Sequence, residues 1–182
     1  MSRALVLALL LLTAAPAPAF DWKVDPARSA IGFSSDWNGA TVKGRFAKWA
    51  ASIRFDPAKL ADARIDVTID LTSAATGDQT VDGSLPGADW LAVKTVPTAR
   101  FTSSSVKAAG PGRYVAVGTL TLRGKAVPVT LPFNLTITGN TAAMGGTVTL
   151  DRRHFGIGME SDAAGRYVAF PVPVTIAVAA TR

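Results

Sequence analysis

The sequence predicts an all-β domain of about eight strands, closed as a barrel or stacked as a sandwich. Three observations carry this. Long segments alternate apolar and polar residues with a period of two, the mark of a sheet with one dry and one wet face. The stretches between them are short and rich in Gly, Asn and Asp: "AAGPGR", "RGK", "TGNT", "SDAAGR". No internal repeat, low-complexity linker or second domain interrupts the pattern.

Taken in order, the chain opens on "MSRALVLALLLLTAAPAPAF", with Arg3, an apolar run from Ala4 to Leu12, and Ala17-Pro18-Ala19 as a small-x-small cleavage site. This reads as a secretory signal peptide over residues 1–19, cut after Ala19. The run is too short to span a bilayer, which takes about 20 residues. The expected mature domain is residues 20–182, and 182 less 19 leaves 163 residues, which suits one domain. Loss of Arg3 leaves 18 basic against 13 acidic residues, a formal charge of +5. The excess is scattered (Lys43, Arg45, Lys48, Arg54, Lys94, Arg113, Arg123) and not gathered on one element, so a nucleic-acid partner is not expected. The chain has no cysteine, which removes disulfides, thiol chemistry and Cys-based metal sites. Export without cysteine points to a bacterial periplasm.

Strands are expected at 29–36, 43–55, 64–71, 99–107, 113–123, 126–137, 141–152 and 167–178. In "RIDVTIDL" Ile65, Val67, Ile69 and Leu71 share a face. In "AVPVTLPFNLTI" the apolar face is Val127, Val129, Leu131, Phe133, Leu135 and Ile137. In "YVAFPVPVTIAV" it runs from Val168 through Val178. Prolines 128, 132, 171 and 173 all fall on wet faces, so their strands should be edge-like, bulged or bent there. "RGK" at 123–125 is short enough for a tight hairpin. "DPAKLADA" at 56–63 predicts one helical turn with Asp56 as N-cap and Pro57 at its first position. An outer-membrane barrel would need its apolar face outward and aromatic girdles, for which two Tyr and a C-terminal "VAATR" offer little.

Reactive groups do not converge. His154, the one histidine, has no second His to share a metal and no adjacent Ser or Cys. Ser104 and Lys107 match a Ser-x-x-Lys spacing, but on a strand positions i and i+3 face opposite ways. Asp78, Asp82 and Asp89 lack the spacing and final Glu of a calcium loop, and Asx-turns or helix capping account for them. No catalytic residue, metal site or cofactor is expected. What remains is shape. Phe133 and Leu135 are large inward residues, while Ala116, Gly118 and Gly146 vacate volume. "GADWLAVKTVPTARF", residues 87–101, is an irregular apolar segment that can fold over a barrel end, as a plug or as the wall of a pocket.

Several motifs in order along the chain resemble the YceI-like family of bacterial periplasmic polyisoprenoid-binding proteins. They are "WKVDPARSAIGF", "GRFAKWAASIRFDP", "IDLTSAATGDQTVDGSLPGADWLAVKTVPTARFTSSSV", "GTLTLRGKAVPVTLPF" and "DRRHFGIG". The resemblance implies an extended eight-stranded antiparallel, lipocalin-like barrel with a short helix or helical loop, within 76–97, covering one end. It also implies a lumen that holds an isoprenoid chain, such as a polyprenyl phosphate or an isoprenoid quinone. On that basis the expected lumen residues are Phe46, Ile65, Val67, Ile69, Leu71, Trp90, Leu91, Phe101, Leu120, Phe133, Leu135, Val148, Leu150 and Phe155, with Lys94 or Arg153 near a polar head. A second reading is a filled barrel docking on a membrane cytochrome b or other inner-membrane protein. A homodimer is left open.

Overall fold

Three of the strands nearest the N-terminus are broken in the middle, and the breaks determine the architecture. The computed structural model describes residues 20–182; the expected signal segment, 1–19, lies outside the described residues. The chain forms β1 (Asp21–Val24), β2 (Ala30–Trp37), β3 (Ala40–Phe46), β4 (Trp49–Arg54), β5 (Arg64–Asp70) and β6 (Ala74–Ala75). The short helix α1 (Gln79–Ser84) follows, then the long strands β7 (Thr98–Gly110), β8 (Arg113–Leu122), β9 (Lys125–Thr138), β10 (Thr141–Asp151) and β11 (Pro171–Thr181). Both β1 and β2 pair antiparallel with β11, through Val24–Ala180 and Ala30–Ala177. They are one stave of a barrel, interrupted by a 3-10 turn at Pro26–Arg28. In the same way β4 and β3 pair with β1 and β2, and β5 and β6 pair with β4 and β3.

Each break is closed by side chains. Ser29 Oγ donates to the Asp25 carbonyl at 2.6 Å and accepts from Ala179 N at 2.9 Å. Ser73 Oγ accepts from Lys48 N at 2.9 Å where β3 gives way to β4. The expected single strand over 43–55 is therefore two, split at Ala47 and Lys48, because the neighbouring 3-10 turn Leu71–Ser73 occupies the ladder there. Counted as staves, the sheet is eight-stranded and antiparallel, runs up and down in chain order, and closes through β1–β11. The apolar faces point inward, which fixes the orientation that alternation alone leaves open.

Turn chemistry follows the sequence. Asn38-Gly39 between β2 and β3, and Arg123-Gly124 between β8 and β9, are two-residue loops with positive φ at both positions (52° and 79°, 51° and 73°). Their twist matches that of paired strands. The four strand prolines lie where their strand has a single neighbour. Pairing of β9 with β10 stops at Phe133–Gly146, short of Pro132 and Pro128, and pairing of β11 with β2 begins only at Val174. A residue without an N–H loses nothing there.

Three further expectations differ. The last strand begins at Pro171 and not at 167, because residues 167–170 leave the ladder of β11 and lie beside the end of β2, with Ala169 N donating to the Asp36 carbonyl at 2.9 Å. Asp56 does cap a turn, accepting from Ala58 N at 2.9 Å, but the 3-10 turn itself is Leu60–Asp62. A bulge shifts the β7–β8 register between Ser103 and Ser105, so Ser104 and Lys107 are both exposed and do not face opposite ways.

Small inward residues make room for large ones. A Cβ at Gly118 would sit 2.4 Å from the Thr102 carbonyl oxygen and 2.7 Å from the Phe101 ring. Gly118→Ala should therefore lower unfolding free energy in urea by about 1–3 kcal/mol, as overpacking does. Gly145→Ala on β10, where nothing lies within 4 Å, should stay within about 1 kcal/mol of the parent. Equal behaviour of the two variants would contradict the packing described.

Candidate functional site

The inward faces do not fill the barrel. They line one long apolar cavity of about 710 Å³. β5 contributes Ile65, Val67 and Ile69, with Leu71 just beyond it. Phe101, Leu120, Phe133 and Leu135 come from β7 to β9, and Val148 and Leu150 from β10. Phe46 of β3, Trp90 and Leu91 of the covering segment, and Phe155 complete the set expected from the sequence, and each of them lines the cavity. So do all four tryptophans of the chain, Trp22, Trp37, Trp49 and Trp90.

One end is sealed by packing. Trp22, Phe55, Ala63, Val106, Ala116, Phe133 and Ala180 form a buried cluster there. Trp22 Nε1 donates to the Phe55 carbonyl at 2.9 Å, which satisfies the indole without water. Tyr114 meets Phe55 edge to face, with centroids 5.1 Å apart.

The other end cannot be sealed by the sheet, because β6 pairs with β3 over two residues only and has no partner in β7. Two segments cover it: residues 76–97 and the loop 152–170. In the first, the Asp78 carboxylate caps α1, accepting from Thr80 N and Val81 N at 2.9 and 3.1 Å. Asp82 turns back to accept from Thr76 N and Oγ1 at 2.7 Å. These two aspartates serve capping and turn roles. Asp89 instead reaches the second segment, accepting from Glu160 N, Ser161 N and Ser161 Oγ at 3.0, 2.9 and 2.6 Å. Burial pushes its pKa up, but these donors and the nearby Arg123 charge outweigh that and hold it below the ordinary carboxylate value. Arg123 donates to the carbonyls of Ala88 and Gly156, one from each segment.

Beneath both lies Arg152, 2% exposed. Its Nη2 donates to the Asp162 carboxylate at 2.8 Å, to the Asp162 carbonyl at 2.8 Å and to the Val168 carbonyl at 2.9 Å, and its Nη1 donates to the Ile157 carbonyl at 2.7 Å. Asp162 is itself buried. Burial pushes its pKa up, yet the N–H groups of Val168, Arg166 and Tyr167 and the Arg152 charge keep it lowered. The guanidinium also lies 6.0 Å from the Trp90 ring. Gly158 has φ +67°, and a Cβ there would come within 2.8 Å of Arg152 Nη1 and 3.1 Å of the Trp90 ring. The "GIG" of the sequence thus lets the covering Trp settle over the buried Arg.

Only Asn38, Ser84, Ser161 and Tyr167 among the lining residues are exposed, and they mark the mouth. Asn38 N donates to the Tyr167 carbonyl at 2.9 Å, which ties the β2–β3 turn to the loop. Lys94 is exposed on the covering segment and Arg153 is bound to Asp151, and neither lines the cavity. His154 is exposed in the 3-10 turn Arg152–Phe155. No group of three His, Cys, Asp or Glu that could hold a metal occurs among the described residues. Sequence reasoning missed Arg152 and Asp162. Parity held the signal: Met144, Gly146, Val148 and Leu150 face inward on β10, and the next even position is Arg152, not Arg153.

Residues 22–180 match the YceI-like domain. A UPF0312 protein of Pseudomonas paraeruginosa is 34% identical over 174 residues, 91% of either chain. Among solved structures, BcnA of Burkholderia cenocepacia is 34% identical with a TM-score of 0.84, covering 87% of this chain and 100% of that one. A polyisoprenoid binding domain from Saccharophagus degradans shares the fold, at 16% identity and a TM-score of 0.66, with 91% and 99% covered.

The Asp89 contacts make the cover sensitive to acid. A carboxylate held below its unfolded pKa, about 4, stabilises fully above that value and loses its contribution as pH falls through the folded one. Asp89→Asn should therefore show a Tm deficit at pH 7 that shrinks toward pH 3 in a thermal series. A deficit constant with pH would show that the carboxylate charge is not what holds the two segments.

Proposed function

The chain belongs to the YceI-like family, and from that premise we propose that it is a periplasmic carrier or sequestering protein for an amphiphilic isoprenoid lipid held in the barrel lumen. The cargo is a polyprenyl phosphate or an isoprenoid quinone. The observation that carries this reading is the apolar cavity of about 710 Å³ inside a closed barrel, open at one polar-rimmed mouth. A hydrocarbon chain entering it exchanges water for Val67, Ile69, Phe101 and Leu135, at about 0.8 kcal/mol per buried methylene before ordering costs. The Saccharophagus degradans domain, described as polyisoprenoid binding, has the same fold and supports the same class of ligand.

Binding and not catalysis fits the wall chemistry. The charged residues that line the cavity are Arg152 and Asp162, which are paired with each other and with backbone groups. The signal pattern in residues 1–19 and the absence of cysteine support export to the periplasm. Docking on a membrane cytochrome b would need no lumen, so the cavity favours the carrier role.

Uptake can be followed by intrinsic fluorescence, since every tryptophan lines the cavity. A carboxylate in the wall, Leu135→Asp, should weaken uptake of a C20 isoprenoid by at least ~100-fold, because an unpaired charge would have to stay buried beside the chain. Val67→Trp, which fills the lumen while keeping it apolar, should do the same without unfolding the barrel. Undiminished uptake by folded Val67→Trp would contradict a lumen site.

A further inference from the structure

Resting on the lumen-binding reading, we infer that the isoprenoid chain enters and leaves the lumen sideways, through a seam in the wall between β9 and β10, while the cover stays shut. Pairing of these two strands starts beside the loop Gly139-Asn140 with Thr138–Thr141 and stops at Phe133–Gly146. Toward the cover, residues 125–132 of β9 pair only with β8, and residues 147–151 of β10 pair only with β11.

Backbone chemistry explains the stop. Antiparallel partners alternate between bonded and non-bonded pairs, and the pair that closes a two-residue loop is bonded. Even-numbered residues of β9 and odd-numbered residues of β10 therefore turn their backbone N–H and C=O groups toward each other. Continued in the same register, the next bonded pairs would be Pro132–Thr147, Thr130–Thr149 and Pro128–Asp151. Two of these contain a proline, which has no N–H to give. The ladder opens where the sequence withdraws its donors.

Along this seam side chains, and not a strand ladder, separate the lumen from solvent. Val129 and Leu131 on one side, and Val148 and Leu150 on the other, line the main cavity. At the fork an outer hollow of about 480 Å³ lies against Pro132, Asn134, Gly145 and Thr147. The exposed flanks, Ala126, Pro128, Thr130 and Pro132 facing Thr147 and Thr149, carry no charge. Nearer the cover stands Phe155, 1% exposed, in a buried cluster against which Val127 of β9 and Leu150 of β10 both pack. An apolar chain can part these side chains without breaking a ladder bond, and it meets no ion on the way. The mouth is different, because its rim groups are engaged. Ser84 Oγ donates to the Thr80 carbonyl at 3.0 Å, Ser161 Oγ to the Asp89 carboxylate at 2.6 Å, and Asn38 N to the Tyr167 carbonyl at 2.9 Å. Widening it would lift segments fastened to the buried Arg152–Asp162 pair, and such a pair is costly to break.

The test ties the seam and the cover in turn. The chain has no cysteine, so thiol pairs can be placed without interference. Thr130→Cys with Thr149→Cys sets a pair across the seam, and Ala88→Cys with Glu160→Cys sets one across the two covering segments. All four positions are exposed and none lines the cavity. Each pair is joined by a short bis-methanethiosulfonate reagent, checked by mass, and stopped-flow tryptophan emission follows uptake and release of geranylgeraniol. The seam link should slow both rates by about tenfold or more, with affinity unchanged and the rates restored by reduction. The cover link should leave both within about threefold of the parent. In hydrogen exchange on the parent protein, the amides of Thr147 and Thr149 should exchange faster than those of Val148 and Leu150, which bond to β11. Unslowed exchange of lipid in the seam-linked protein, or equal slowing by the cover link, would overturn the lateral route while leaving lipid binding intact. Equal protection of all four amides would overturn the seam itself. If geranylgeraniol alters emission in no form of the protein, the lumen-binding reading fails and the inference with it.

Discussion

A guanidinium with almost no access to solvent organises the open end of this barrel. Burying a charge is costly unless it is paired and its donors are satisfied. Arg152 meets that condition by drawing in Asp162 and carbonyls from residues 157 to 169. Those contacts shape the loop 152–170, and the loop in turn supplies the N–H groups of Glu160 and Ser161 that anchor Asp89 of the other covering segment. Trp90 comes to rest over the same guanidinium, at a place kept clear by Gly158. Both walls of the mouth therefore trace back to one buried ion pair. Such pairs are often no more stabilising than an apolar replacement of similar size. Here its contribution is geometric: it fixes two irregular segments over a sheet that does not close.

The need for a cover follows from the strands. Staves interrupted near Pro26–Arg28, Ala47-Lys48 and Leu71–Ser73 bend together, and the third runs out after Ala75. β7 then pairs with β5 and leaves β6 alone. The gap is where residues 76–97 are inserted. The sealed end has the reverse design, with Trp22, Phe55 and Phe133 packed across the base. A long apolar space closed at one end and rimmed by neutral polar groups at the other has the form of a site for an amphiphile.

Much of this is legible in the alternation of the sequence. Period two places Ile65, Val67, Ile69, Phe133 and Leu135 on inward faces, and the structure puts all five on the cavity wall. Local chemistry shows the Arg123-Gly124 turn and the capping role of Asp78. Where legibility fails, tertiary constraints override local ones. Ala47 and Lys48 carry no turn signal, and the strand breaks there because Ser73 takes over the hydrogen bonds. Ser104 breaks parity through a bulge that only the partner strand reveals. Arg152 stands at an inward position, but a lone sequence favours arginine outside, since its buried partner Asp162 lies ten residues on, across an irregular loop. Arg153, the neighbour that looked available to a head group, is paired with Asp151, whose pKa its hydrogen bond lowers to about 2.

The central claim is that the lumen is an occupied lipid site in the cell. The most direct measurement is native mass spectrometry of the protein taken from cells without detergent, followed by organic extraction of whatever it carries. The account predicts a stoichiometric adduct whose mass fits an isoprenoid. A bare protein mass, with no adduct formed when isoprenoids are offered, would contradict it and leave residues 76–97 as a plug over an empty barrel.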